Sequence, residues 1–468
     1  MRNHFLAKRS IIFLLFFMFF LLKAQEKPSH FWDYKLEKLN YDLGQNWNLN
    51  STIDNITYTL NNDDSLKTNL IYGRLGASVY FQKNNSFGSV NNFFRYVYQK
   101  KYYSYLYSRI VSDVEKFDDY SGIKQDIDRL GFESGDVDLS GIGYEHHGIT
   151  FQYGRNRQII GSGNGIYLLN NEKSNSFDQL IIKHKGRKFR TKYFHGFLEN
   201  LNNHNRYITG KCLEILYKPN LLISLSEVSI YSGINRPVDL AYLNPISSHI
   251  ETEFNNRANK IGTGSGNAIW QTSFDWYIKE KYRASFNYVI DELVLDKSQL
   301  DSGKVNGIAF STRIAKARID NNYSSVFYLS YIFVGTHTFS HKNGYNNFVN
   351  RNKPIGWEYG SDGDQIKFGI KFYNLKNIMT NLELGSVRIG QQSIYFRNYQ
   401  PYDDYMESAF PSGNITFVNY INFNIDWMFR KNFRIFFILR NENFASNNPE
   451  LILNLGFNYY RDISTNSF

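Results

Sequence analysis

The chain has 468 residues, of which 17% are aromatic, with 36 Tyr and 39 Phe but only 8 Pro. A soluble core of this size normally uses more Leu, Val and Ala, so the composition disfavours an ordinary soluble domain. One cysteine, Cys212, excludes an intramolecular disulfide, and we expect it to serve packing.

The N-terminus has the order of a secretory signal. Lys8 and Arg9 precede an unbroken apolar run, Ile11–Leu22, and the small residue Ala24 follows before Gln25. The run is shorter than the roughly 20 residues that a membrane-spanning helix needs. We therefore predict a cleaved signal over residues 1–24, with an uncleaved anchor as the alternative, and one domain over residues 25–468.

Segments of alternating apolar and polar residues recur along the rest of the chain. Ile71–Phe81, Gln365–Tyr373, Ile421–Phe429 and the final run from Leu451 to Tyr459 each place apolar side chains on one face. Period-2 segments of about ten residues are typical of membrane strands, although soluble antiparallel sheets alternate as well. Their recurrence favours a membrane β-barrel.

The connections between these segments fall into two classes. Lys431-Asn432, Asn374–Asn377 and Asn447–Pro449 look like short turns. Longer polar connections are expected over 52–68, 108–140, 250–268, 340–364 and 398–414. Short turns at one end and long loops at the other are typical of outer-membrane barrels.

One connection has partly helical spacing of its apolar residues. Between Tyr107 and Gly131, the apolar positions run from Ile110 through Phe117 to Leu130. A helix here would plug the lumen or lie in the periplasm. A surface loop is the alternative.

The C-terminus and the length of the chain bear on the strand count. The chain ends on the aromatic Phe468, which resembles the terminal signal of outer-membrane barrels, although the extension Asp462–Phe468 departs from an ending at the strand itself. Dividing the mature chain by roughly 25 residues per strand and connection gives about 16 to 18 strands. We predict an all-β, transmembrane antiparallel barrel, with 18 strands favoured, in the cell outer membrane.

Several motifs in the middle of the chain occur in the order of a known family. Tyr153–Gly163 is followed by Leu168–Asn171 and Ser176–Asp178, and the series resembles the "GR…WGpG…LLLSNNA…FD" signature of the Wzi capsule-assembly proteins. Ile160 stands where that family commonly has Trp, and Ser162 stands where it often has Pro.

Further elements continue the resemblance towards residue 364. Leu225–Glu227 with Tyr231 and Leu240–Pro245 are similar to the family's "GE…Y…YLNP" element, and Pro354–Gly356 with Gly360–Asp364 to its "PLG…GPDAD" element. The resemblance implies an 18-stranded outer-membrane barrel that binds capsular polysaccharide as a lectin and is not an enzyme. The departures at positions 160 and 162 leave the polysaccharide undefined, and a role in exopolysaccharide or motility is a further reading.

Side-chain chemistry supplies candidate contacts for such a glycan. Tyr and Trp stack on sugar faces, while Asp and Arg hydrogen-bond hydroxyl groups, and the net charge of +10 attracts acidic polymers. The candidate ligand-binding residues are Arg155, Arg157, Trp357, Tyr359, Asp362 and Asp364. The arginines could instead form ion pairs inside the barrel. The aromatic residues could instead belong to the girdle at the membrane interface.

Other chemistries find less support. The carboxylates Asp291/Glu292, Asp362/Asp364 and Asp403/Asp404 would be needed by a membrane-embedded lipid or sugar hydrolase. The glycines Gly161, Gly163 and Gly165 lack the Lys-Ser/Thr of a phosphate loop, so a tight turn or close backbone approach is favoured.

We predict no catalytic residues, no metal and no cofactor. The expected partners are a surface polysaccharide and outer-membrane lipids, without nucleic acid, and the barrel is expected to be monomeric. A porin or specific channel is the second reading.

Overall fold

The computed structural model describes residues 69–81, 86–125, 131–171, 173–259, 261, 265–291, 293–294, 297–374, 377–430, 433–444 and 450–465. The predicted signal over 1–24 and the predicted loop 52–68 lie outside these residues.

Eighteen strands of the described chain form one closed antiparallel sheet, which confirms the predicted barrel and the favoured count. Each strand pairs with its neighbour in the chain, and β1 pairs with both β2 and β20, which closes the ring. The two strands β14 and β15 form a separate short hairpin. The strands are β1 (Asn69–Phe81), β2 (Ser86–Tyr98), β3 (Tyr102–Val111), β4 (Ser134–His146), β5 (Ile149–Asn156), β6 (Phe177–Lys185), β7 (Phe189–Leu201), β8 (His204–Lys218), β9 (Leu221–Ile234), β10 (Ser265–Ile278), β11 (Tyr282–Ile290), β12 (Ile308–Ile319), β13 (Tyr323–Val334), β14 (Val349–Asn350), β15 (Lys353–Pro354), β16 (Gly363–Asn374), β17 (Ile378–Ile389), β18 (Thr416–Arg430), β19 (Phe433–Phe444) and β20 (Glu450–Thr465).

The outward faces of the strands carry an exposed apolar band. On β16, Ile366 and Phe368 are exposed, while the alternate residue Gln365 is buried inside the barrel. The same alternation gives nearly every strand at least one exposed outward aromatic or aliphatic side chain; examples are Leu75, Phe94, Leu106, Ile142, Phe151, Leu180, Phe197, Leu225, Phe274, Phe286, Ile314, Leu329, Leu382, Ile421 and Leu453. A closed sheet with such a band is an outer-membrane β-barrel.

The two ends of the barrel differ as the sequence predicted. At one end, here called the turn end, successive strands are joined by turns of two or three residues, such as 99–101 and 147–148. The opposite, loop end carries the long connections 112–133, 157–176, 235–264, 291–307, 335–362 and 390–415. By the rule for such barrels, the loop end is extracellular. The predicted turns Lys431-Asn432 and Asn447–Pro449 lie outside the described residues.

Two sequence predictions about local structure need correction or refinement, and one long connection was not predicted. The partly helical segment near residue 110 is not a helix where it is described: Tyr102–Val111 is strand β3, followed by a 3-10 turn over Val114–Lys116. The sequence did not indicate that residues 157–176 form a long connection. The C-terminal extension continues strand β20 as far as Thr465.

Short helices occur only in connections of the described chain. They are α1 (Leu240–Leu243), α2 (His249–Phe254) and α3 (Lys297–Asp301), with a second 3-10 turn over Gly344–Asn346. Across the described ranges, none of the helices has the length and apolar character needed to span a bilayer.

The loop-end half of the lumen has an apolar core. Wall residues such as Ile208, Val228 and Ile230 point inward and are fully buried. They pack with Ile166 and Phe348 from the long connections in one continuous cluster. Cys212 packs against this cluster, as expected for a packing residue. The lumen is therefore filled at its loop end.

A charge placed on the outward face of a strand should be far more damaging than one placed in the lumen. We expect Phe368→Arg to lower the free energy of unfolding by about 2–4 kcal/mol, because the midplane of a bilayer does not solvate a guanidinium. Asn424→Arg, on the lumen side of β18, is the matched control and should cost much less. Urea unfolding of the barrel in phospholipid vesicles measures both. Equal losses for the two variants would contradict the assigned faces.

Candidate functional site

The connection 157–176 turns into the lumen directly after β5. Arg157 is 4% exposed, and its guanidinium pairs with Asp138 at 2.7 Å and donates to the carbonyl oxygen of Ser174 at 2.9 Å. It also donates to the Ser121 hydroxyl at 2.7 Å. Since β5 ends at Asn156, Arg155 and Arg157 do not share a strand face. Arg157 anchors the start of the connection.

The middle of this connection crosses the lumen to β11, six strands further along the wall. Asn287 on β11 accepts from the backbone N–H of Ser162 at 2.7 Å and donates to its carbonyl oxygen at 2.9 Å. Gly161 and Gly163 have φ of +116° and +83°, and a Cβ on Gly161 would lie 2.8 Å from the Asn287 side-chain oxygen. The glycines thus permit a close backbone approach, as the sequence indicated.

A second connection, 335–362, fills the lumen beside the first. The fully buried guanidinium of Arg206 on β8 donates to the carbonyl oxygens of Tyr345 at 2.5 Å, Asn347 at 2.8 Å and Val349 at 3.0 Å. It also forms an ion pair with Glu199. We call the connections 157–176 and 335–362 together the plug.

Two of the six predicted ligand-binding residues are carboxylates that already have protein partners. Asp362 is fully buried and accepts from Thr336 Oγ1 at 2.7 Å and from the Ser412 N–H at 3.0 Å, so it ties the plug to the connection 390–415. Asp364 lies on the outward face of β16 and pairs with Arg388 at 2.5 Å. The two carboxylates therefore have separate protein partners.

Arg155 is also engaged by the protein. It donates to Ser176 Oγ at 3.1 Å and pairs with Asp136 at 3.3 Å, at the point where β5 gives way to the plug. The structure therefore brings together only Trp357 and Tyr359 of the six predicted residues in one cavity. The arginines and aspartates hold the plug or the barrel rim.

That cavity, here called the lumen pocket, lies between the plug and the inner wall and has a volume of about 230 Å³. The plug and the strands β13 and β16–β19 both contribute side chains. They are Gly165, Tyr167, Asn171, Lys173, Trp357, Glu358 and Tyr359 from the plug, with Ile332, Gln365, Lys367, Glu383, Tyr420, Asn422 and Arg440 from the wall.

An ion pair from the two halves of the plug stands at the pocket. Lys173 Nζ lies 2.5 Å from Glu358 Oε2, and both side chains remain partly exposed. Burial disfavours the charged carboxylate, but the Lys173 and Lys367 ammonium groups outweigh it and hold the pKa of Glu358 below its ordinary value. The Glu358 carboxylate in turn raises the pKa of Lys173. The pair stays charged at neutral pH and is lost only as the pH falls through the lowered pKa of Glu358.

The aromatic side chains of the pocket differ in accessibility. Trp357 is 2% exposed, and its indole N–H donates to Gln365 Oε1 at 3.2 Å. Tyr359 packs edge-to-face against it with ring centroids 5.4 Å apart and is only partly buried. Burial raises the pKa of Tyr359, so its phenol stays neutral and is able to donate. Trp357 therefore supports Tyr359, which is the more accessible of the two.

The carboxylates of the pocket are held by donors. Glu383 accepts from Tyr328 OH at 2.6 Å and from Tyr420 OH at 3.0 Å, and Glu358 is paired with Lys173. In the part of the chain that the structure describes, no three His, Cys, Asp or Glu side chains are grouped to hold a metal ion. The arrangement offers aromatic faces, amides and fixed charges for binding.

Sequence reasoning missed most of the pocket. Three pocket residues of the plug lie in or beside the quoted motifs, but no sequence pattern indicated that they line a pocket: Tyr167, Lys173 and Glu358. Lys367 and Glu383 are lumen-facing polar residues of alternating strands, and periodicity alone could have placed them in the lumen. It could not show which part of the lumen the plug leaves open.

Comparisons with known proteins support the fold. No protein-family model matches the chain, and no curated protein matches it in sequence. A solved structure of Wzi, described as an outer-membrane protein involved in group 1 capsule assembly in Escherichia coli and as a carbohydrate-binding β-barrel, matches with a TM-score of 0.61. The identity is 11%, over 91% of this chain and 92% of that one.

Porin structures are less similar. Pseudomonas aeruginosa OprD matches with a TM-score of 0.47 and 9% identity, over 84% of this chain and 95% of that one. P. aeruginosa OccD3 matches with a TM-score of 0.47 and 7% identity, over 85% of this chain and 92% of that one. At these identities the likeness concerns the fold, which is that of an outer-membrane barrel, and not function.

The hydrogen bonds and ion pair of Arg206, here called the Arg206 clamp, hold the plug to the wall. Their removal should loosen the plug without opening the barrel. In Arg206→Leu, Glu199 would be left without its buried partner and three plug carbonyls without a donor, at a cost of about 3 kcal/mol. Amide hydrogen exchange of residues 335–362 should then be roughly 100-fold faster, while the strands stay protected. Arg318→Leu, an exposed arginine at the turn end, is the control. Unchanged exchange in Arg206→Leu would show that the clamp does not hold the plug.

Proposed function

We propose that this protein binds a capsular or other surface polysaccharide without cleaving it, and takes part in the assembly or attachment of that polysaccharide at the cell surface. The observation that carries the proposal is the lumen pocket, in which a partly exposed tyrosine supported by a tryptophan stands among amides and fixed charges. The carbohydrate-binding Wzi barrel, whose fold the chain shares, adds support from analogy.

The chemistry of the pocket suits a charged sugar chain. Tyr359 offers a ring face, and Asn171 and Asn422 offer amide groups. Asn422 Oδ1 is buried without a hydrogen-bond partner among the described residues, and a bond from a glycan hydroxyl group would satisfy this acceptor. Lys367 and Arg440 supply positive charge for uronic acid or phosphate groups of the polymer.

The motif-bearing residues support this reading in a different way from that expected. Instead of touching a glycan, Arg157 and the glycines near residue 161 shape the plug. The plug in turn forms one side of the pocket. In this proposal the motif preserves the scaffold, and Tyr359 and its neighbours contact the glycan.

The proposal does not include catalysis, and three of the candidate carboxylates are engaged by the protein. The buried Asp362 accepts several hydrogen bonds, Asp364 pairs with Arg388, and Asp291 accepts from the backbone N–H of Phe339. A glycosidase needs one free carboxylate and one protonated acid across the same bond. We therefore propose a lectin function and not a hydrolase function.

Loss of the accessible tyrosine should weaken glycan binding. We expect Tyr359→Ala to bind purified surface polysaccharide of the source cells about tenfold more weakly than the unaltered barrel, a loss of about 1.4 kcal/mol. Titration calorimetry with the detergent-solubilised barrel measures the affinity.

The control for this experiment is Tyr217→Ala, which removes an exposed tyrosine outside the pocket. Its affinity should match that of the unaltered protein. If the unaltered barrel does not bind the polysaccharide, the proposed function fails. If Tyr359→Ala binds as well as the unaltered barrel does, the glycan binds elsewhere.

A channel is the second candidate, favoured by the pocket's charged lining beside the plug. An 18-stranded barrel without a plug would leave an aqueous pore. We expect the intact protein to show no stable conductance steps in planar bilayers, because the plug is packed into an apolar core at the loop end. A variant with residues 158–169 replaced by two glycines should conduct. Steady conductance of the intact protein would favour the channel over the glycan-binding proposal.

A further inference from the structure

Part of the outward face of the barrel is buried and polar. On β9, Val228 and Ile230 face the lumen, so Glu227, Ser229 and Tyr231 point outward, yet all three are buried. Two positions towards the turn end, Leu225 also points outward and is 50% exposed. Another segment of the chain therefore covers the outer wall on the loop-end side of Leu225.

The cover is the connection after β9, over residues 235–259, which we call the flap. It folds back along the outside of the barrel instead of rising from its rim. Tyr242 on α1 stacks on Tyr231 with ring centroids 4.4 Å apart and an interplanar angle of 12°. The backbone N–H of His249, at the start of α2, donates to both oxygens of Glu227 at 3.1 and 3.2 Å.

Neighbouring strands hold the flap as well. Tyr193 on β7 donates to the carbonyl oxygens of Tyr242 and Leu243 at 3.0 Å each. Lys211 on β8 pairs with Glu227 at 3.1 Å and donates to the carbonyl oxygen of Ser247. Tyr193, Lys211 and Glu227, on the outward faces of these strands, thus find partners in the flap.

The contacts fix how deep the flap lies. Glu227 stands midway along β9, which runs from Leu221 to Ile234. Trp270 on the adjacent strand β10 donates to the same carboxylate at 3.0 Å. A segment bonded to the middle of a transmembrane strand lies well below the barrel rim, at the level of the lipid.

The outer surface of the flap carries exposed apolar side chains, as expected for a segment at the level of the lipid. Ile246, three residues before His249, is 90% exposed, and Leu240 and Phe254 are 79% and 74% exposed. Large apolar side chains are more stable when they are removed from water. Polar exposed residues also occur on the flap, namely Asn235, Asn244, Asn255, Asn256 and Arg257.

We infer that the flap lies within the extracellular leaflet of the outer membrane, with Leu240, Ile246 and Phe254 in contact with lipid acyl chains. It acts as an interfacial element that shields the polar outward face of β7–β10 from hydrocarbon. Its exposed apolar surface continues the lipid-facing band of Leu225 and Phe274 on the strands beneath it. The asparagines and Arg257 suit the headgroup region.

This continuity favours lipid over a second copy of the chain as the occupant. Membrane lipid already covers the band to which the flap is joined, so no additional interface is required. The inference does not depend on glycan binding, and the two stand or fall separately.

The experiment uses a fluorescent probe in vesicles. In a Cys212→Ser background, single cysteines replace Ile246 and Phe254 on the flap, Leu225 in the lipid-facing band and Lys342 on the water-exposed plug surface. Each is labelled with nitrobenzoxadiazole, and the barrels are refolded into phosphatidylcholine vesicles with or without bromine on the acyl chains. Heat-modifiable migration on gels confirms that each variant is folded, and Leu240→Cys replaces any flap variant that does not fold.

Bromine quenches only probes that touch the acyl chains. We expect about a twofold loss of emission at positions 246 and 254, similar to that at 225, and little loss at 342. Flap probes that behave like position 342 would overturn the inference, because the flap would then stand in water. Quenching that disappears as the protein-to-lipid ratio rises would also overturn it, since a second copy would then cover the surface.

Discussion

The requirement that every backbone amide in a bilayer find a partner governs this structure. A sheet satisfies it only by closing, and β1 closes the ring by pairing with both β2 and β20. Eighteen strands make a ring too wide for wall side chains to fill. The long connections at the loop end fill it instead, so the plug, the apolar lumen core and the lumen pocket all follow from closure.

Filling the lumen reverses the usual polarity of the wall in two places. Near the loop end the inward side chains, such as Val228 and Ile230, are apolar because they meet plug residues and not water. On the opposite face of the same strand, Glu227 and Tyr231 are polar because the flap meets them and not lipid. In each case a folded connection replaces the solvent that the strand would otherwise face.

The strands were predictable from sequence, and the connections were not. Alternation placed Ile366 outward and Gln365 inward because each face met a uniform environment. It gave no warning that 157–176 is a long connection that enters the lumen. It also could not separate the outward Asp364 from the buried Asp362, since that depends on where β16 begins. Trp357 and Tyr359 were chosen for chemistry, and only tertiary packing shows that one is buried and the other accessible.

The seam between β1 and β20 also dictates the order in which the molecule is assembled. Ile71 pairs with Thr465 and Phe81 with Leu455, so neighbours in the finished ring are separated by almost the whole chain. Until the last strand has been delivered, β1 is an unpaired edge, open to pairing with other chains. Closure at so large a sequence separation is entropically slow. Assembly therefore needs the complete chain held together at the membrane with both edges shielded, and a chain ending before β20 would remain an open sheet.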